Sequence, residues 1–259
     1  MLAQQRQEAI LGRVRTAGGV RVTELAAEFG VSDMTIRRDL EALAERGLLA
    51  KVHGGATTAR PGSTDEPGFA AKSVRQRAEK AAIAREAARL VTPGMAVALS
   101  AGTTTAELAH RLTGIPALTV VTNSIPVAEI LHRSGRPDQT VVLTGGVRTP
   151  SDALVGPVAV AAIRSLHLDL VFLGVHGMSE RAGFSTPNLS EAETNRALLA
   201  SADRLVVLAD HTKWATVGIS SFADLAEAHT VVTDARLPEP AREALAAQVT
   251  ELLICELAA

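Results

Sequence analysis

The stretch of this 259-residue chain that is most informative about its fold is Ser32-Asp33-Met34-Thr35-Ile36-Arg37-Arg38-Asp39-Leu40. Ser32 is a typical helix N-cap, and apolar residues then recur at positions i, i+4 and i+7, as on the buried face of a helix. Those core-facing residues are Ile36, Leu40 and Leu43. Met34 and Arg38 point the opposite way. The spacing therefore predicts a short helix with one apolar face and one polar face.

The polar face of this helix carries groups with which proteins read or grip DNA. Arg37 and Arg38 can each bond a guanine with two hydrogen bonds or hold a phosphate, and Thr35 adds a hydroxyl. The alternative is a small helical dimerisation domain whose arginines are only solvated. Aromatic residues make up 2% of the chain, with no tyrosine, so stacking on single-stranded bases is not expected.

Two further helical patterns come before this helix, and a hairpin pattern follows it. Thr23 is a candidate N-cap for the second helix, Gly30 ends that helix, and Gly47 ends the third. A helix, a turn and a capped helix form a helix-turn-helix pattern. The apolar positions of the first two helices are Ile10, Leu11 and Val14, then Leu25, Ala26 and Phe29.

Residues 48–58 predict two short strands around Gly54-Gly55. Lys51 and His53 in this hairpin would act as a wing that touches a neighbouring groove or the DNA backbone. The first predicted domain spans residues 1–58.

The composition bounds the class of protein. Apolar residues make up 47% of the chain and charged residues 21%, as in a soluble globular protein. With Cys255 as the sole cysteine, an internal disulfide is impossible and a reducing compartment is expected. The apolar runs are too short to cross a bilayer. These features predict a cytoplasmic protein without membrane contact, and no Cys/His spacing suggests a metal.

The charge is unevenly spread along the chain. The net charge of the whole is −2, but residues 1–60 carry nine basic and seven acidic residues. The sign of this asymmetry suits a small basic module joined to an acidic one.

After a Thr-, Pro- and Gly-rich linker at residues 59–71, the pattern changes to alternating strands and helices over residues 72–259. A charged helix is expected over residues 72–90. Apolar runs then predict strands, with helical patterns between most of them, and this alternation is typical of an α/β domain with a largely parallel sheet. The predicted strands are residues 95–99, 117–121, 140–144, 168–175, 204–209, 229–232 and 251–254.

Polar or glycine-rich turns follow several of these strands, and ligands of open parallel sheets bind beyond the carboxyl ends of strands. Gly102-Thr103-Thr104-Thr105 opens a helix, where backbone amides favour an anion, although such a start can be plain capping. Lys213 could bind a phosphate or be solvated. Asn123 could bond a sugar hydroxyl, or the turn could only cap the next helix through Ser124.

The stretch quoted first, together with Gly47, Leu48 and His53-Gly54-Gly55-Ala56, closely resembles the winged helix of the DeoR family of transcription regulators. The resemblance continues from Phe69 to near the C-terminus, in motifs such as Gly102 to Thr105 and Asp210 to Trp214. It implies sequence-specific binding of double-stranded operator DNA by a homo-oligomer, a dimer or tetramer. It also implies a sensor domain, similar in fold to ribose-5-phosphate isomerase, that binds a phosphorylated sugar or related metabolite.

The residues expected to contact DNA are Ser32, Met34, Thr35, Arg37, Arg38, Lys51 and His53. Those expected to contact the effector are Ser100, Gly102, Thr103, Thr104, Thr105, Asn123, Gly145, His176, Gly177 and Lys213. At Ser100 the family usually has Asp, at Asn195 often Lys, and at His176 a small or acidic residue. These departures put the identity of the effector in doubt.

Two functions follow from these patterns. The first is a DNA-binding regulator, expected to be a repressor of a sugar-metabolism operon, without cofactor or metal. The alternative is a sugar-phosphate isomerase with an appended DNA-binding module. Isomerisation needs a positioned base, usually a carboxylate. Glu180 is out of place for that role and Ser100 replaces another carboxylate, so catalysis is not expected.

Overall fold

The chain divides into two compact units, residues 1–62 and 63–259. The computed structural model describes residues 3–45, 48–52, 54–58, 64 and 68–257. The predicted helix end at Gly47 and the wing residue His53 lie outside the described residues, and so does most of the predicted linker.

The described part of the first unit contains three helices and a three-stranded antiparallel sheet in the order β1-β3-β2. Its elements are α1 (Ala3–Ala17), β1 (Gly19–Arg21), α2 (Val22–Phe29), α3 (Asp33–Glu45), β2 (Leu49–Val52) and β3 (Gly55–Thr58). The predicted helices and the hairpin are confirmed. β1 was not predicted, because three residues are too few to show a period.

The cap predicted at Thr23 is wrong. α2 begins at Val22 and its N-cap is Arg21, whose backbone is extended, because β1 runs directly into the helix. The helix end predicted at Gly30 and the cap predicted at Ser32 are confirmed. Gly30 ends α2 in the left-handed conformation, with φ of 63°, and the Ser32 hydroxyl accepts a hydrogen bond from the Thr35 amide at 3.2 Å.

The second unit is built on a seven-stranded parallel sheet in the order β15-β14-β12-β9-β4-β5-β6. These seven strands are the seven that the apolar runs predict. They are β4 (Ala96–Leu99), β5 (Thr119–Thr122), β6 (Thr140–Leu143), β9 (Leu168–Gly174), β12 (Ala202–Leu208), β14 (Thr230–Asp234) and β15 (Glu251–Cys255).

Side chains alternate between two cores, one on each face of this sheet. Val171 and Leu173 of β9 enter one core, and Leu170 and Phe172 enter the other. Because both faces are covered, the strands read as nearly continuous apolar runs. The helices of the unit are α4 (Phe69–Ser73), α5 (Arg77–Ala88), α6 (Thr103–Leu112), α7 (Ile125–Arg133), α8 (Pro157–Arg164), α9 (Leu189–Ala200) and α10 (Glu239–Ala246).

The single charged helix predicted for residues 72–90 is wrong. The structure has two helices, α4 and α5, separated at Gln76, whose φ is 49°. A side-chain-bearing residue in this left-handed conformation interrupts the helical hydrogen-bond ladder, at a cost of about 1–2 kcal/mol. A break at a glutamine has no sequence signal.

The sequence patterns also miss five short strands. They are β7 (Val147–Arg148), β8 (Leu154–Val155), β10 (Gly177–Ser179), β11 (Gly183–Thr186) and β13 (Ser220–Ala223). β7 pairs with β8, and the other three form an antiparallel sheet in the order β10-β11-β13. Segments of two to four residues are too short for an alternating pattern to stand out.

Gly177 gives a test of this packing. A Cβ atom built there lies 2.1 Å from the carbonyl oxygen of Thr216, so Gly177→Ala must move backbone. We expect it to lower the free energy of unfolding of the second unit by about 1–3 kcal/mol, measured by chemical denaturation. Gly114→Ala is the control, because a Cβ there meets nothing within 4 Å. Equal stabilities of the two variants would contradict the described approach of β10 to Thr216.

Candidate functional site

The outward face of α3 is open. Met34 is 59% exposed, and Arg37 and Arg38 are both exposed. Ile36 and Leu40 hold the opposite face in the core, with exposures of 0% and 2%. The two guanidinium groups therefore stand on the solvent side of a helix whose other side is fixed.

The hydroxyl groups at the start of α3 bond to each other. Ser32 Oγ and Thr35 Oγ1 are 2.9 Å apart, and Ser32 Oγ also accepts from the Thr35 amide. Both residues thus form the helix cap. To contact a DNA backbone, their hydroxyls would either add a bond to a phosphate or replace one of these cap bonds by it.

The predicted wing residue Lys51 is tied to α3. Its Nζ donates to Glu41 Oε1 at 2.8 Å, and the hydrogen bond and charge of Lys51 lower the pKa of the Glu41 carboxyl. Both side chains are exposed, with fractions of 49% and 58%. A DNA phosphate would therefore compete with Glu41 for Lys51.

In the second unit, parallel pairing brings the carboxyl ends of several strands to one edge of the sheet. Ser100 follows β4, Gly174 ends β9, Asp210 lies two residues beyond β12 and Asp234 ends β14. Asn123 follows the neighbouring β5. The residue runs that the sequence marked as candidate ligand contacts thus lie along one edge.

Two of the predicted effector residues connect neighbouring strand ends. Ser100 Oγ accepts from the Gly174 amide at 3.1 Å. Asn123 Oδ1 accepts from the Ala101 amide at 3.0 Å, and its Nδ2 donates to the Leu154 carbonyl at 3.1 Å. Both residues are 2% exposed. They shape the backbone of the edge from within the protein.

The turn after Asn123 is a helix cap. Ser124 Oγ accepts from the Val127 amide at 3.3 Å, and this is the capping interpretation that the sequence left open beside sugar binding.

α6 begins at this edge, directly after Gly102. A Cβ at Gly102 would lie 3.2 Å from Thr105 Oγ1, so the turn is tight. Thr105 is fully buried and its hydroxyl donates to the Gly102 carbonyl at 2.9 Å. Thr104 is 7% exposed, whereas Thr103 is half-buried. Thr103 and the amides of the first turn are therefore the accessible groups at this helix start.

The remaining predicted contacts have mixed surroundings. Gly177 is buried and its close neighbour is the Thr216 backbone, so its lack of a side chain serves packing. The His176 amide donates to the Ser185 carbonyl at 3.2 Å. Gly145 is half-buried, in the left-handed conformation, and follows the edge strand β6.

Lys80, which the sequence patterns did not single out, is a buried charged group near this edge. It is 4% exposed, and its Nζ donates to the carbonyls of Lys72 and Arg75, both at 2.6 Å. Burial lowers the pKa of Lys80 to about 8, with Asp210 opposing the shift and Lys213 adding to it. Lys80 therefore lies within electrostatic reach of two residues of the Asp210 to Trp214 motif.

A sequence signal for Lys80 did exist. It shares the apolar stripe of α5 with Ile83, Ala84 and Ala87, at i+3, i+4 and i+7, and these three are buried. A charged residue in a buried stripe marks either an internal partner or a ligand site.

The carboxylates of the edge are engaged. Asp210 is 1% exposed, and its Oδ1 accepts from the Thr212 amide and hydroxyl. Asp234 is fully buried, and it contacts His211 Nδ1 at 2.9 Å and accepts from the Arg236 amide at 3.0 Å. These bonds fix the turn that carries Lys213.

A cavity of about 220 Å³ lies between α4, α6 and α7. Of the predicted effector residues it includes Thr103 alone, beside Glu107, His110, Glu129 and Arg133. Acidic and basic groups are thus mixed in this cavity.

Within the described ranges, no cluster of three or more His, Cys, Asp and Glu residues could hold a metal ion. Cys255 is buried, which raises the pKa of its thiol to about 11, so the reactive thiolate form is disfavoured. None of the helices in the described part of the chain is long and apolar enough to cross a membrane.

Comparison with solved structures finds partial likeness. Ribose 5-phosphate isomerase A from Methanocaldococcus jannaschii is 17% identical, with a TM-score of 0.38 over 53% of this chain and 54% of that one. A D-ribose-5-phosphate isomerase in complex with phospho-erythronic acid is 14% identical, with a TM-score of 0.40 over 53% of each chain.

Sequence comparison finds relatives along nearly the whole chain. The uncharacterized HTH-type transcriptional regulator YgbI of Escherichia coli is 36% identical over 258 residues, which are 99% of each chain. A putative aga operon transcriptional repressor of Escherichia coli O157:H7 is 31% identical, over 96% of this chain and 93% of that one. The lactose phosphotransferase system repressor of Staphylococcus aureus is 35% identical, over 90% and 93%.

Two family models match the two units. The DeoR-like helix-turn-helix domain matches residues 6–61, and the DeoR C terminal sensor domain matches residues 75–235. The chain therefore belongs to the DeoR family of DNA-binding transcriptional regulators.

Proposed function

We propose that this regulator represses an operon for sugar metabolism and that a phosphorylated sugar or related metabolite sets its affinity for operator DNA. The observation that carries the proposal is the buried ammonium of Lys80 beside the strand-end edge of the sensor domain. Relatives named as repressors of the aga operon and of a lactose phosphotransferase system support the sugar assignment.

The DNA half of the proposal rests on α3. Arg37 and Arg38 project from a helix whose other face is buried, which is how a recognition helix presents side chains to the major groove. Each can bond a guanine or hold a phosphate. Lys51 is in position to exchange its exposed Glu41 partner for a phosphate, because an exposed ion pair contributes little.

The proposed effector site is supported by the positive charges near the strand ends. Among the described residues, no carboxylate forms an ion pair with Lys80, and two of its three N–H groups donate to backbone carbonyls. Asp210 acts on Lys80 electrostatically but forms no ion pair with it, and a buried cation with no ion-pair partner favours an anionic ligand. Lys213 adds a second positive charge, and the amides of the first turn of α6 favour an anion as well. If these groups bind the phosphate of the effector, its sugar would lie along the strand ends.

The contacts of Lys80 suggest how effector binding could change DNA binding. Lys80 holds the carbonyls of Lys72 and Arg75, and Lys72 Nζ donates to Ser151 Oγ at 2.8 Å. The segment that contains these carbonyls follows the DNA-binding domain in sequence. An anion that attracts the Lys80 ammonium would loosen its hold on this segment. We propose this competition as the link between effector and DNA.

An isomerase is the alternative. The relatives are named as regulators, and the buried carboxylates Asp210 and Asp234 are held by neighbouring groups, which leaves neither as a free base. Glu180 is exposed beyond β10. We therefore propose that the chain is not an enzyme. A turnover assay with ribose 5-phosphate distinguishes the two functions.

We further propose a cytoplasmic homo-oligomer, a dimer or tetramer, that binds no membrane. One winged helix makes few phosphate contacts, and tight specific binding normally uses repeated ones.

The first test concerns α3. Arg37→Ala and Arg38→Ala should each weaken binding to a duplex selected from a random library, which should itself contain repeated half-sites. Loss of a base contact costs about 1–3 kcal/mol and relaxes the sequence preference, whereas loss of a phosphate contact weakens all sequences alike. Fluorescence anisotropy at fixed salt measures both. Arg164→Ala, at an exposed position of α8, is the control. Wild-type affinity in both α3 variants would remove this helix from DNA reading.

The second test concerns the effector site. A thermal-shift screen of phosphorylated sugars identifies a ligand, and calorimetry measures its Kd. Lys213→Ala should weaken binding by about 1.5–3 kcal/mol through loss of a charge-assisted contact. Gly102→Val should do at least as much harm, since its side chain meets Thr105. Basal DNA binding should persist in both variants. If they bind the ligand as tightly as wild type does, the phosphate lies elsewhere.

The third test uses pH. Because the pKa of Lys80 is lowered to about 8, its ammonium is charged at pH 7 and mostly neutral at pH 9. A sugar phosphate is already mostly doubly charged at pH 7, since its second pKa is about 6, so its own ionisation changes little over this range. Effector affinity should therefore fall as the pH rises from 7 to 9. Lys80→Met should bind weakly at both pH values, without this dependence. An equal pH dependence in the two proteins would contradict the role of Lys80.

A further inference from the structure

The described part of the winged-helix unit contains a buried ion pair between α1 and α3. Arg6 Nε donates to Asp39 Oδ2 at 2.6 Å, and the two residues are 8% and 4% exposed. Gln7 Nε2 donates to Asp39 Oδ1 at 3.1 Å. Both oxygens of the Asp39 carboxylate are thus held by groups of α1.

Both partners occupy positions that the helix pattern assigns to apolar residues. Asp39 lies on the buried stripe of α3, at i, i+3, i+4 and i+7, and Arg6 lies on the buried stripe of α1, at i, i+4 and i+8. The other members of these stripes are Ile36, Leu40 and Leu43 on α3, and Ile10 and Val14 on α1. A buried charged pair therefore stands where the helix pattern expects an apolar contact between α1 and α3.

Stability does not account for this choice. Removing two charges from water costs free energy, and well-packed apolar residues of similar volume often stabilise a protein as well or better. The fully buried apolar residues of this core are all aliphatic, and hydrophobic contacts are non-directional. The guanidinium–carboxylate bond has a fixed direction, so it defines how α3 is rotated about its own axis relative to α1.

That rotation matters because Arg37 and Arg38 directly precede Asp39 on α3. Side chains lie about 5 Å from a helix axis, so a rotation of 20° moves them by about 2 Å. Hydrogen bonds to base edges do not survive such a displacement. Contacts with phosphates, which depend mainly on charge, tolerate it better.

We propose that Arg6 and Asp39 are a positioning pair, which fixes the rotation of the DNA-reading helix and thereby sets sequence discrimination. The inference rests on the proposed role of α3 in reading DNA. The pair touches no DNA itself and acts through Arg37 and Arg38.

The test replaces the pair by apolar residues of similar size in the full chain, as Arg6→Met with Asp39→Leu. Thermal unfolding measures stability, and fluorescence anisotropy measures affinity for the selected duplex and for a scrambled duplex. The matched control is Arg13→Gln with Glu28→Gln. This second ion pair joins α1 to α2 instead of α3 and is exposed, with side-chain fractions of 57% and 38%.

The apolar variant should unfold at the wild-type temperature or above. Its preference for the selected over the scrambled duplex should fall by at least about tenfold, as for the loss of a base contact. Its affinity for the scrambled duplex and its salt dependence should stay at wild-type values, because the phosphate contacts remain. The control should keep the full preference. A stable apolar variant with wild-type preference would overturn the proposal.

If the apolar variant does not fold, Arg6→Lys tests the positioning role of the pair instead. Lysine keeps the charge but lacks the Nε–H that sets the direction of the bond, so the preference should again fall. An unchanged preference would overturn the inference. Arg37→Ala is measured on the same two duplexes. If Arg37→Ala lowers the preference and Arg6→Lys does not, the positioning role of the pair is wrong. If neither variant changes the preference, α3 is not the helix that reads DNA.

Discussion

Parallel pairing of seven strands is the constraint on which the sensor domain depends. It forces every carboxyl end to the same edge, so that residues as distant in sequence as Ser100, Gly174 and Asp210 become neighbours. The hydrogen bond from the Gly174 amide to Ser100 Oγ ties two of these ends together. We propose that the effector binds at these ends, where α5 supplies positive charge from Lys80. The apolar strands thus build the frame of the domain, and the polar strand ends carry the residues of the proposed effector site.

The DNA-binding unit uses a different device. Its small aliphatic core buries one face of α3, and the exposed arginines follow from the helical period alone. Helix rotation, however, is only loosely defined by aliphatic packing. The proposed role of the buried Arg6–Asp39 pair is to add the direction that this core lacks, and fixing register is the role for which buried polar groups are best attested.

The sequence was sufficient for much of this architecture. Each strand of the large sheet coincides with a predicted apolar run, because burial on both faces leaves a continuous signal. The α3 helix was equally clear from Ser32 and its apolar stripe. What escaped prediction depends on contacts distant in sequence. The break at Gln76 carries no local signal, and Gly177 is explained by the backbone of Thr216. Lys80 is the exception, because its position in the apolar stripe of α5 is a local signal that the interpretation as one charged helix did not use.

We propose that the chain couples an anion site in the sensor domain to DNA binding by the winged helix. Coupling between two sites is reciprocal, so each ligand must change the affinity of the other by the same factor. Calorimetric titration of the phosphosugar, with and without saturating selected duplex, measures one side, and DNA titration with and without the phosphosugar measures the other. If the two sites are coupled, the two titrations should give the same factor, and that factor should differ from one. Identical phosphosugar affinities in the presence and absence of the duplex would contradict it.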